Sequence, residues 1–338
     1  MSRNQIYNLD KFYKLIHKSS GKIIATLLLS AAALLFFGLH DRAQASDDVR
    51  LPHADTFPEG VAVAKDGSIY IGSIKRGEIY RARPGRTNAE LFVPTASDGL
   101  LSVVGIYADD ASGVLYACSS DLRIPSLTGY APPALKAFDL ATGAPRGSWP
   151  LPNGGFCNDI TVRADGSVFV TNSFKPEILV KRRGGAGLDV WLSDERFAGE
   201  GFRLNGIDHD GKESLYVAIT ATGDLLKIGI AENGGPGAVE RVPLPGQLSR
   251  PDGVKVLDDG RVMVVEQSAG RVVAVDPKAP TAMPAILASG IAAPTTAQAV
   301  GRSLWVVESQ LPVLWATADK AAAAVQGPVL LRRFQLER

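Results

Sequence analysis

Four side chains in this sequence share a chemistry and a setting: Glu59 in FPEG, Asn158 in CNDI, Asn205 in LNGI and Asp252 in PDGV. Each places a carboxylate or amide oxygen at the start of a short apolar run. Two carboxylates and two amide oxygens, with no sulfur or imidazole among them, suit a hard divalent cation. Calcium suits them best, because it accepts several oxygens at flexible geometry and keeps water ligands. The competing reading is turn chemistry, since Asn or Asp before Gly bonds its own backbone. That serves Asn205 or Asp252 taken singly. It gives no reason for Glu59, a poor turn residue, or for the position all four share.

The shared position comes from a repeat. From Glu59 the chain reads EGVAVAKDGSIYIGS, from Asn158 NDITVRADGSVFVTNS, from Asn205 NGIDHDGKESLYVAIT and from Asp252 DGVKVLDDGRVMVVEQ. Weaker copies begin at Val104 and Thr295, so the starts lie 45, 54, 47, 47 and 43 residues apart. A period in the forties with several strands per unit is the spacing of propeller blades. Each copy reads as an alternating strand, a turn (usually at Asp-Gly) and an apolar return strand. A third strand often follows, as in GEIYRARP, GDLLKIGI and GRVVAVDP. One such blade cannot bury both of its apolar faces, whereas six stacked around an axis can, leaving only short edges. The expected fold is therefore all-β, a six-bladed propeller. Val329 to Leu336 and the short piece from Leu51 to Ala54 also read as strands, and they are expected to share a sheet that closes the ring. The innermost strand of a blade begins beside the channel, so Glu59, Val104, Asn158, Asn205, Asp252 and Thr295 should converge there.

In this order and spacing, the four motifs resemble the senescence marker protein/gluconolactonase/luciferin-regenerating enzyme-like family of six-bladed calcium-dependent propeller hydrolases. The sequence is similar, more distantly, to diisopropyl fluorophosphatase. The resemblance covers essentially the whole chain after its N-terminal segment. It implies that Glu59, Asn158, Asn205 and Asp252 hold a divalent metal, calcium foremost, at the channel mouth. It also implies metal-dependent hydrolysis, of a lactone first and of a phosphoester or phosphofluoridate second. A cation at that place polarises a lactone carbonyl and stabilises the oxyanion formed when water attacks. Asp252 is the candidate catalytic residue, as base or water-orienting group, with a role as ligand alone left open. The rival is a non-catalytic propeller that binds a partner or ligand on its top face and carries a structural metal, because this fold hosts many functions.

One departure from the family bears on substrate. Its sugar-lactone hydrolases carry an Arg two residues before the Asn of the third blade, where this chain has Phe156. Arg203 and Arg250 stand at the same offset before Asn205 and Asp252. An Arg fork suits a carboxylate or vicinal oxygens. Either polar recognition has moved to another blade, or the pocket takes a more apolar lactone, or both arginines form ordinary inter-blade ion pairs. The long connection from Ser119 to Leu135 should lie on the metal's face as a lid, where Arg123 and Tyr130 could meet a ligand. Candidate substrate-binding residues are thus Arg123, Phe156, Arg203 and Arg250. Cys118 and Cys157 flank this connection, either bridged in an oxidising compartment or as two buried thiols.

The N-terminus points to export. Arg3, Lys11, Lys14, Lys18 and Lys22 precede an apolar run from Ile23 to Leu39, followed by Ala43-Gln44-Ala45. This order predicts a signal peptide over residues 1–45, cleaved after Ala45. A single domain over 46–338 remains, 338 − 45 = 293 residues, in the periplasm or secreted. The alternative is an uncleaved anchor, since spanning a bilayer takes roughly 17–25 residues. Charges nearly balance, with 36 Lys and Arg against 35 Asp and Glu, and no basic stripe suggests a nucleic-acid partner. The expected partner is a small lactone or ester bound by a monomer, with no stable membrane partner once the signal is removed. Two cysteines exclude a disulfide framework. No Gly-x-Ser-x-Gly elbow supports a serine hydrolase. His17 and His40 lie in the presequence, His53 in the N-terminal strand and His209 in a turn expected at the end away from the metal.

Overall fold

The computed structural model describes residues 47–124, 126–127, 131–309, 311–314 and 328–336. The signal segment and Tyr130 lie outside these residues. Among the described residues, no helix is long and apolar enough to cross a membrane.

The recurring Asp-Gly signal does the work expected of it. Asp66, Asp165, Asp210 and Asp259 each accept a bond from the backbone amide two residues on, at 2.7–3.0 Å. The glycines that follow, Gly67, Gly166, Gly211 and Gly260, have φ between 73° and 85°. This is the left-handed region that a residue without Cβ enters freely. Each turn folds a buried inner strand onto a buried second strand.

Six four-stranded antiparallel sheets result. After β1 (Val49–Arg50), blade one is β2 (Pro58–Val63), β3 (Ile69–Ser73), β4 (Ile79–Ala82) and β5 (Glu90–Val93). Blade two is β6 (Ser102–Asp109), β7 (Val114–Ser120), β8 (Ala134–Asp139) and β9 (Pro145–Pro150). Blade three is β10 (Cys157–Val162), β11 (Val168–Asn172), β12 (Glu177–Lys181) and β13 (Asp189–Ser193). Blade four is β14 (Leu204–His209), β15 (Ser214–Ile219), β16 (Asp224–Ile230) and β17 (Pro236–Arg241). Blade five is β18 (Pro251–Val256), β19 (Val262–Glu266), β20 (Arg271–Val275) and β21 (Ala285–Ser289). Blade six is β22 (Pro294–Val300), β23 (Ser303–Glu308) and β24 (Leu330–Gln335), completed by β1. A short helix α1 (Leu311–Leu314) follows β23.

Burial follows the same order. Inner strands such as β10 are buried throughout, whereas β9 and β17 at the rim are mostly exposed. The core lies between blades. Phe169, Ile178 and Val180 of blade three pack with Ile207, Leu215 and Val217 of blade four in one cluster. This is how each sheet covers the apolar face that its neighbour cannot bury alone.

The two ends of the chain close the ring as expected. Val49 pairs with Leu331 and Arg50 with Leu330, and Val49, Leu51, Val329 and Leu331 enter the same buried cluster as Val61 and Ile71 of blade one. The N-terminal strand lies at Val49–Arg50, just ahead of the expected Leu51 to Ala54. Pro52 has no N–H to give a ladder, so pairing ends before it.

Candidate metal centre and its cavity

The inner strands share a distortion at the position where the ligands were expected. In blade three, the pairing of β10 with β11 breaks register between Cys157 and Ile160, and each of the other five blades breaks at the equivalent place. The bulged pairs are therefore Glu59-Gly60, Val104-Gly105, Asn158-Asp159, Asn205-Gly206, Asp252-Gly253 and Thr295-Thr296. Bulges re-aim side chains. In four pairs the second residue is glycine because adjacent inner strands touch there. A Cβ on Gly206 would overlap the Asp252 carbonyl oxygen and the Val254 amide nitrogen, and one on Gly253 would sit 2.9 Å from the Thr295 carbonyl oxygen.

A second set of residues sets the direction of the donors. The Ser173 hydroxyl donates to the Leu204 carbonyl at 2.6 Å, and the Thr220 hydroxyl donates to the Pro251 carbonyl at 2.7 Å. With its proton so used, each hydroxyl can only accept from the neighbouring amide. Asn158 Nδ2 donates to Ser173 at 2.8 Å and Asn205 Nδ2 donates to Thr220 at 3.0 Å. The amide nitrogens are thereby turned outward and the amide oxygens left for the channel. In blade five, Gln267 Nε2 donates to Asp252 Oδ2 at 2.9 Å. Asp252 Oδ1, Asn158 Oδ1 and Glu59 Oε2 are buried with no hydrogen-bond partner. Leaving a buried acceptor unsatisfied costs roughly 1–3 kcal/mol, and more for a charged group.

Electrostatics work against the charge on both carboxylates. Burial, then repulsion from Asp252 and Asp159, holds the Glu59 carboxyl well above its ordinary range. Burial, then Asp159, pushes Asp252 up to about 8, against the opposing pull of Arg250, the nearby Asn205 amide and the hydrogen bond from Gln267. Two buried carboxylates with unpartnered oxygens beside an unpartnered amide oxygen fit an oxygen-coordinated divalent ion. No cluster of three or more His, Cys, Asp or Glu suited to a metal occurs among the described residues; the candidate set is a mixed one, with Asn158 and Asn205 supplying half of it.

All four candidate ligands line one cavity of about 380 Å³ at the mouth of the channel. Phe156 lines it too, as does Arg250, which holds a strained φ of 51° and has no ion-pair partner among the described residues. Arg203 is placed differently: its guanidinium bonds the Phe197 and Arg196 carbonyls at 3.4 and 3.3 Å, and it is not among the cavity's lining residues. Arg123 is exposed and also outside the lining, whereas Leu122 beside it is part of the wall. The connection after β7 therefore does reach the cavity of the candidate ligands. A disulfide joins Cys118 to Cys157, Cα to Cα 5.1 Å, and ties that connection's base to blade three. No histidine among the described residues lines the cavity. His209 bonds the Val162 carbonyl at the opposite end of the inner strands.

Ser173, Thr220 and Gln267 escaped the sequence reading, although each stands 15 residues after its partner. So did a buried charge network lower in the channel. Asp159 accepts from the Ile207 amide at 3.0 Å and Asp208 from the Val256 amide at 2.8 Å. Burial works against the charge on Lys255, but Asp159 and Asp208 hold its ammonium protonated.

Comparisons place this geometry among known folds. A family model described as "Strictosidine synthase-like, N-terminal" matches residues 44–82. No curated protein sequence gives a significant match. Among solved structures, a luciferin-regenerating enzyme superposes with a TM-score of 0.60 at 12% identity, covering 83% of this chain and 92% of that one. A gluconolactonase from Xanthomonas campestris gives 0.58 at 14%, covering 78% and 85%. A streptogramin B lyase gives 0.56 at 16%, covering 86% and 87%. The resemblance drawn from the four motifs is thus met by structural neighbours that include gluconolactonase and luciferin-regenerating enzyme. At these identities, what they share with this chain is the propeller.

Proposed function

We propose that this chain is an exported, divalent-metal-dependent hydrolase of lactone or ester bonds, with calcium as its metal. The observation that carries the reading is the convergence of Glu59 Oε2, Asn158 Oδ1 and Asp252 Oδ1, all buried and unpartnered, in one solvent-reaching cavity. With Asn205 they would hold the ion. When bound, it supplies positive charge that polarises a substrate carbonyl and stabilises the oxyanion.

The chain's own groups supply the rest. Asp252 is held by Gln267 through one oxygen, which fixes the other toward the cavity, where it accepts a proton from the attacking water. Ser173 and Thr220 keep the amide oxygens of Asn158 and Asn205 turned inward. Arg250 reaches the same cavity and offers a guanidinium to substrate oxygens. The apolar part of the wall limits the water that competes for these groups.

The test is hydrolysis of a panel of alkyl lactones, sugar lactones and aryl phosphotriesters, with calcium and with chelator. Calcium-dependent turnover of a lactone, lost in Asp252→Asn while calcium still binds, supports both the activity and the role of Asp252. Bound calcium with no turnover of any class would favour a non-catalytic binding propeller. Export accords with the disulfide, which persists in oxidising compartments. N-terminal sequencing of the mature protein should begin at Ser46.

A further inference from the structure

The cavity wall is divided. Its polar side carries the four candidate ligands with Thr220, Gln267, Ser268 and Arg250. The rest of the lining is apolar: Ile74, Val104, Leu122, Phe156, Phe202, Leu311 and Pro312. Ile74, Val104 and Phe156 belong to a buried core cluster, with Leu122 and Leu311 packed against it, so this side is rigid where it meets the cavity.

The aromatic part of this wall extends outward. The Phe156 ring stands edge-on to Phe202 at 5.1 Å and 90°. Phe174 completes a trio, 5.2 Å from Phe156 and 4.8 Å from Phe202. Phe174 and Phe202 are 49% and 37% exposed. Two adjacent phenylalanines left in water at the rim of a cavity mark a binding surface better than a packing accident, since exposed apolar patches are functional when they border a groove. None of these side chains can answer a hydroxyl. A polyhydroxylated substituent placed here would lose its water and find no side-chain partner, which weakens binding by roughly 5–150-fold per group.

We infer that the substrate carries an unfunctionalised alkyl or aryl arm, seated on Phe156 and Phe202, with its reacting carbonyl toward Glu59, Asn158, Asn205 and Asp252. This rests on the hydrolase reading for the carbonyl and on the wall alone for the arm. It assigns Phe202 and Leu122 to specificity, and it resolves the presence of Phe156 in favour of an apolar lactone over a sugar lactone.

The experiment uses 3-alkylcyclopentanones, in which a methylene replaces the ring oxygen of a γ-alkyl lactone so that hydrolysis is impossible. Dissociation constants are measured by calorimetry on the mature protein in calcium buffer, from the methyl to the pentyl member and for a polyhydroxylated cyclopentanone. Affinity should rise about fourfold per added methylene until the cavity fills. The polyhydroxylated ketone should bind at least tenfold more weakly than the pentyl compound. Phe202→Ala, at a half-exposed position, should flatten the rise, and Phe202→Leu should restore most of it. A flat series, or tighter binding of the polyhydroxylated ketone, overturns the inference even if lactones are hydrolysed. Turnover of the matching γ-alkyl lactones is scored separately. A rising series without turnover would sink the hydrolase reading and leave the apolar subsite standing.

Discussion

Replacing Thr220 with Val tests whether the direction of an amide, and not merely its presence, makes the site. Valine keeps the shape of threonine and removes the hydroxyl. Two bonds go with it, the one accepted from Asn205 Nδ2 at 3.0 Å and the one donated to the Pro251 carbonyl at 2.7 Å. Pro251 still pairs with Glu266 in its ladder, so the loss there is one net hydrogen bond, about 1 kcal/mol. The Asn205 amide is left buried without an acceptor, about 1–3 kcal/mol more. The expected destabilisation is about 2–4 kcal/mol, which for a domain of this size lowers the melting temperature by roughly 3–7 °C. The sharper consequence concerns the metal. With nothing to hold its nitrogen outward, Asn205 can turn either end to the channel. Loss of such an orienting partner weakens metal binding by about 10–100-fold. Thr220→Ser, which keeps the hydroxyl, should bind nearly as the wild type. Calorimetric titration with calcium and thermal melts in chelator read the two effects independently. A Thr220→Val protein that melts lower yet binds calcium with wild-type affinity would refute the orienting role and reduce Thr220 to a staple between blades four and five.

Gly206→Ala should destabilise by about 3 kcal/mol in urea unfolding, because the added methyl meets the backbone of β18, which cannot yield without parting two blades; an unchanged midpoint would show that the inner strands are not in contact there. Replacing Cys118 and Cys157 together with Ser opens a span of 39 residues, worth about 4 kcal/mol on the chain-entropy model, and the variant should melt as the reduced wild type does. Deleting residues 330–338 removes β24, strands β1 without a partner and uncovers Val49 and Val61; the truncated protein should show no cooperative melt, and a wild-type melting temperature would contradict closure by both ends.

Much of the architecture was legible because the fold is periodic. Starts read at 59, 104, 158, 205, 252 and 295 fall within two residues of the inner strands they mark. Even the weak copies at Val104 and Thr295 became blades, since the stacking of neighbours fixes a strand whose own sequence is poor in signal. The orienting residues were equally periodic. Asn158, Asn205 and Asp252 find Ser173, Thr220 and Gln267 at one constant offset, but three different side chains hide the pattern from a reader of residue types. Arg203 and Arg250 show the opposite failure, since one offset led to two outcomes. The short 3-10 turn Glu195–Phe197 presents carbonyls that take the Arg203 guanidinium. No such turn precedes Arg250, which lines the cavity instead. The offset specifies where the backbone lies, and a non-repeating loop decides what the side chain meets. Asp159 was invisible for a related reason. Only the structural register shows that four of the other five blades put glycine where this carboxylate enters the channel.

The division of the cavity follows from the same periodicity. Around a propeller axis, equivalent positions face one another, so the character of each wall is set by what each repeat places there. Blades three, four and five carry both a donor at the bulge and a polar partner 15 residues later. Blade one keeps the donor, Glu59, but has Ile74 at the partner position. Blade two has lost the donor itself to Val104. Ile74 and Val104 are both wall residues, and Phe156 joins them from the offset where the resembling sugar-lactone hydrolases carry an arginine. The apolar side is thus what remains where two adjacent blades have each lost one polar residue of the series, and it adjoins Glu59, whose carboxylate has no side chain of that series to orient it. A cation would have to take over that orientation. This couples the two halves of the site: the same degeneration that makes room for an apolar arm also leaves Glu59 the donor most dependent on bound metal.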